Sequence, residues 1–103
     1  MTEEQQSPNL NEDETFPSFA ETTAQLAALS ALVAEQLGNY AEATAQYQQA
    51  LAVAHWSRIE RGLLHRNLAW CGQGVTGVSE AEAKHWWDRA EAELRNTDHW
   101  SFD

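Results

Sequence analysis

Apolar residues recur at helical spacing in four stretches of this chain, separated by glycine or short polar turns. The first, roughly residues 19–37, aligns Phe19, Leu26, Ser30, Val33, Ala34 and Leu37 on one side. The second, roughly 40–54, aligns Tyr40, Ala43, Tyr47, Ala50, Leu51 and Ala54. The third, roughly 58–71, aligns Leu64, Leu68 and Cys71, widened by Ile59, Leu63 and Trp70. The fourth, roughly 80–95, aligns Ala83, Trp87, Ala90 and Leu94, with Trp86 on its flank.

Each stretch opens with a capping residue three before a glutamate: Ser18 and Glu21, Asn39 and Glu42, Ser57 and Glu60, Ser79 and Glu82. Such a pair satisfies two unpaired N–H groups at a helix start. The pattern therefore predicts an all-α fold of four helices. Gly38-Asn39 makes a tight hairpin between the first two helices, because glycine readily takes the left-handed conformation past a helix end. His55-Trp56 joins the second to the third as briefly, and the glycine-rich run 72–78 makes a looser hairpin before the fourth.

Composition agrees with this reading. Seventeen of the 103 residues are alanine, the best helix former, and five are tryptophan, which supplies buried area to a small core. Residues 1–17 hold five acids, no base, two prolines and few apolar groups, so an acidic disordered tail is expected there. The expected division is this tail, a helical domain over 18–95, and a C-terminal tail or cap over 96–103. The net charge of −10 argues against direct binding to nucleic acid or an anionic membrane. No run is apolar enough to span a bilayer, and MTEEQQSPNL lacks the basic and apolar regions of a secretory signal. A lone cysteine, Cys71, suits a reducing, cytoplasmic setting.

The run Leu37-Gly38-Asn39-Tyr40-Ala41-Glu42-Ala43, followed by Tyr47, Ala50 and Leu51, resembles the tetratricopeptide repeat (TPR), a helix–turn–helix unit of about 34 residues. Residues 24–57 match one unit, with Ala31, Ala43 and Ala50 at the small sites and Tyr47 at the aromatic site; His55 replaces the usual proline. Leu64, Leu68, Gly72, Ala83, Trp87 and Ala90 resemble a second, degenerate unit with a longer turn. The resemblance implies two antiparallel helical hairpins that bind peptides in a concave groove. In this chain the groove row is Ala28, Leu32, Gln36, Gly62, Arg66 and Trp70. It lacks the Lys/Asn pattern of the family's carboxylate-clamp members.

Two repeats fall short of the roughly three that a solenoid core needs, so self-association as a homodimer, an obligate partner, or capping by the tail and Asn96–Asp103 is expected to make up the shortfall. Helix one carries a second apolar side, Ala24, Ala28, Ala31 and Leu32, which is the expected contact.

Nothing in the sequence signals catalysis. The four histidines show no ligand spacing, Cys71 has no CxxC partner, and the 72–77 glycines follow a helix and lack the lysine of a phosphate loop. No metal, cofactor or enzymatic activity is expected. Charge is more informative: residues 1–57 carry eight acids and no Lys or Arg, and all six bases lie from Arg58 onward. Arg58, Gly62, His65, Arg66 and Ala69 share one face of helix three, a candidate stripe for an acidic segment. Trp87 is assigned to the core, Trp86 to its edge, where it caps the core or meets a partner, and Trp100 to a cap or a short linear motif. The sequence therefore points to a non-catalytic protein-interaction module, an adaptor or assembly factor that takes a protein or peptide partner. An acidic nucleic-acid mimic and a structural subunit are the alternatives.

Overall fold

The computed structural model describes residues 18–53 and 55–100. Expectations that fall on 1–17, Ala54 and 101–103 lie outside the described residues. Those described form helices α1 (Phe19–Gln36), α2 (Tyr40–Leu51), α3 (Arg58–Gly72) and α4 (Glu80–Leu94), with no strand among them. The chain is all-α.

The helix starts follow the capping grammar unevenly. Ser18 and Ser57 form complete boxes, each hydroxyl accepting from the glutamate N–H and each glutamate accepting in return. Ser79 accepts from the Glu82 N–H at 3.0 Å. Asn39 makes no side-chain cap. The turn before it explains this. Gly38, at φ +78°, donates to Glu35 O, and Asn39 donates to Ala34 O at 2.8 Å. That pair is a Schellman closure of α1, and it leaves Asn39 at ψ 75°, short of the ψ near 160° at the three serine caps.

α1 pairs closely with α2, and α3 with α4; α2 packs on α3 to join the hairpins. Their shared core contains Ala31, Ala34, Ala43, Tyr47, Leu64, Leu68, Ala69, Cys71 and Trp86. On α1 the structure reverses the expected face, with Ala34 alone of the expected residues turned inward. Ala24, Ala27, Ala31 and Ala34 are buried, whereas Phe19, Leu26, Val33 and Leu37 are exposed. The reason is steric: Tyr47 is 1% exposed and fills the α1–α2 space, so the helix opposite must offer small side chains. Tyr40, Ile59 and Trp70, also assigned to the core, are exposed.

A second reversal occurs on α4, where Trp86 is buried and Trp87 is 43% exposed. Gly72 permits this. A Cβ placed on it would lie 2.7 Å from the Trp86 ring, so only glycine leaves room for the indole. Beyond α4 the chain turns at Asn96 (φ 68°), with the Thr97 hydroxyl donating to Leu94 O at 2.6 Å. Trp100 then packs against Trp87, ring centroids 4.9 Å apart and ring planes tilted by 51°, so this segment folds back on α4.

Candidate functional site

Three features compete for a functional role: a buried carboxylate cluster, a buried phenol–thiol cluster and an aromatic cleft. Glu93 on α4 anchors the first. Its Oε2 accepts from Arg61 Nε and Arg89 Nη2, each at 3.0 Å, and its Oε1 lies 2.7 Å from His65 Nδ1. Burial pushes this carboxyl up, but the hydrogen bonds from Arg89, His65 and Arg61 outweigh it and hold the group below the ordinary glutamate value. Arg61 also donates to Trp56 O at 3.0 Å, which ties the α2–α3 joint to the cluster. Two of the carboxylate's three partners, Arg61 and His65, lie on α3, so the cluster is a fastening between α3 and α4, braced within α4 by Arg89.

In the second cluster the Tyr47 hydroxyl donates to Glu35 Oε1 at 2.8 Å and accepts from Asn67 Nδ2 at 3.2 Å. Burial, reinforced by the hydrogen bond to Glu35, holds the phenol well above its ordinary value. Burial and the nearby Glu35 carboxylate push the Cys71 thiol up to about 12. A thiol so held stays protonated near neutrality and is a poor nucleophile. No group of three or more His, Cys, Asp or Glu among the described residues is placed to hold a metal.

The cleft lies where α3 ends and α4 begins. Its volume is about 560 Å³, and Trp70, Val78, Ala83, Lys84, Trp87 and the Gly72–Gly74 turn line it. Trp70 is 63% exposed, a large apolar area to leave in water. Gly74 (φ +80°) and Gly77 (φ +94°) curve the loop that forms one wall, through Val75 N–H to Gly72 O and Val78 N–H to Val75 O. Two charged residues stand on the rim, Glu80 and Lys84, and Lys84 is paired with Asp88 at 2.8 Å. One turn before Trp70 on α3 is Arg66, whose Nη1 donates to His99 O at 3.3 Å.

The residues expected to bind a partner divide sharply. Of the nine, only Trp70 lines this cleft. Gly62 is buried, and a Cβ there would lie 2.6 Å from Leu94 Cγ, so it belongs to the α3–α4 contact. His65 is engaged with Glu93 and Trp86 is in the core, which removes both from the binding surface. Ala28 packs partly against the core, while Leu32 and Gln36 are exposed on α1. The expected row is thus broken by α4: the missing Cβ of Gly62 lets Glu93 and Leu94 approach the middle of α3.

Arg58 and Arg66 remain from the basic stripe. Among the described residues they are the bases without a carboxylate partner, since Arg61, Lys84, Arg89 and Arg95 all form ion pairs. Trp87 is the cleft residue that sequence reasoning missed, having assigned it to the core. Adjacent tryptophans on one helix cannot both face the same core, and Gly72 marks which of the two the core accepts. The described helices include none long and apolar enough to cross a membrane. No family model, no curated protein and no solved structure matches the chain.

Proposed function

We propose that this protein is a non-catalytic interaction module, an adaptor or assembly factor, that holds a short extended segment of a protein partner in the Trp70–Trp87 cleft. The observation that carries this reading is the pair of exposed indoles flanking an open, largely apolar cleft. Aromatic-lined grooves of this kind accept proline or apolar side chains of extended peptides, whose ordering cost is low. Tryptophan and arginine also dominate the energetics of protein interfaces. A carboxylate in the bound segment would meet Arg66, next to Trp70 on the same helix face. The lone cysteine, buried as a protonated thiol, fits a reducing compartment such as the cytoplasm.

Peptide selection from a random library on the immobilised chain tests the reading. Selected peptides should be rich in proline or aromatic residues with a nearby acid, and they should lose at least ~10-fold in affinity to Trp70→Ala or Trp87→Ala. Arg66→Glu should weaken capture more at low salt than at moderate salt, where screening shortens the reach of the charge. Peptides that bind all three variants as well as the parent chain would refute the proposal.

A further inference from the structure

The outer face of α1 is apolar, uncharged and uncovered among the described residues. Phe19, Leu26 and Val33 repeat at seven-residue intervals, with Leu29 and Leu37 beside them, and all five are more than half exposed. A seven-residue repeat is the register in which one helix seats its side chains into another. The five side chains present on the order of 600 Å² to solvent, near the roughly 800 Å² per partner of a standard interface. A shallow groove of about 430 Å³ runs along Leu26, Leu29, Val33 and Leu37 and ends at Glu42.

We infer that this face is where two copies of the chain associate, with their α1 helices antiparallel. Charge identifies the occupant. A chain of net charge −10 opposes self-association wherever its acids face one another. The positions flanking this seam are Thr23, Gln25, Ser30 and Leu32, none of them charged. Flanking charges ordinarily choose the partner of a paired helix; here they neither repel a second copy nor attract a basic helix. Glu21 and Glu35 are the only charges on α1, and both lie outside the seam; Glu35 is turned toward Tyr47.

The chain's own N-terminal residues are the competing occupant. They offer only Met1, Leu10 and Phe16 as large apolar side chains, too few to cover the seam. Antiparallel pairing sets the helix dipoles head to tail and moves the two Glu42 side chains to opposite ends of the contact. It places Leu26 and Leu29 at the centre and brings Phe19 of each copy against Leu37 of the other.

Sedimentation equilibrium of the full chain, over a concentration series reaching hundreds of micromolar, tests the inference. The expected result is twice the chain mass for the parent and a single chain mass for Leu26→Glu, with unchanged circular dichroism. Residue 26 is exposed in one copy, so that variant should fold; Leu29→Gln serves as a second variant if it does not. A parent that stays monomeric throughout, as it would if residues 1–17 covered the face, overturns the inference. So does a Leu26→Glu or Leu29→Gln variant that keeps the doubled mass. Oxidising Thr23→Cys chains mixed with Val33→Cys chains should give the crossed disulfide; cross-links confined to like residues would overturn the antiparallel arrangement.

Discussion

Replacing Glu93 by Gln removes one negative charge from beneath two guanidinium groups while nearly conserving volume. The carboxylate accepts from Arg61, Arg89 and His65, and its side chain is 7% exposed. A hydrogen bond to a charged group contributes about 1.5–3 kcal/mol, against about 0.5–1.5 for a neutral one. Losing charge on two arginine bonds would cost about 2 kcal/mol on that basis. The arginines reach solvent, at 33% and 49% exposure, and turn outward to recover hydration. The net loss is then about 1–2 kcal/mol. A domain of this size loses roughly 4–8 °C in melting temperature per kcal/mol, so Glu93→Gln should melt about 5–15 °C lower at neutral pH.

The sign of the pH dependence is fixed by the depressed carboxyl. Its contribution is complete above the unfolded glutamate value of about 4.3 and is lost as pH falls through the lower folded-state value. The gap between parent and variant should therefore be full at neutral pH and close in strong acid. Thermal circular dichroism of both chains across that range is the assay. Melting within about 1 °C of the parent at neutral pH, or a gap that persists undiminished once the carboxyl is protonated, would show that the cluster does not fasten α3 to α4.

Two further outcomes follow from the packing. Gly62→Ala should lower the melting temperature, because its Cβ would meet fully buried Leu94; overpacking of about 1–3 kcal/mol exceeds the helix-propensity gain of up to ~1 kcal/mol. A rise in melting temperature would mean that α4 yields there. Cys71 should resist thiol reagents at mildly alkaline pH while the chain is folded and react promptly in denaturant, since it is 2% exposed and its ionisation is pushed up to about 12. Fast labelling of the native chain would place the thiol outside the core.

The helices and most of their limits were determined by local sequence. Three of the four capping pairs act as caps, the Gly38 turn closes α1, and 3.6-residue periodicity separates helix from connector without reference to anything distant. The cysteine at position 71 was likewise legible as core, whereas only the structure shows that Arg58 and Arg66 are the bases left without a carboxylate among the described residues. Which side of each helix turns inward was a different matter. α1 has an alanine side and a leucine side, and hydrophobicity alone favours burying the leucines. The bulk of Tyr47, on another helix, reverses that choice. Trp86 and Trp87 are equivalent in hydrophobicity, and the opening at Gly72, fourteen residues away, selects between them. Gly62 shows the same dependence: within α3 it belongs to a basic face, yet its missing Cβ admits Leu94 and Glu93 and divides that face. Helix formation responds to neighbours within one turn, whereas burial depends on the shape of the surface opposite, and only the tertiary structure brings that surface into place.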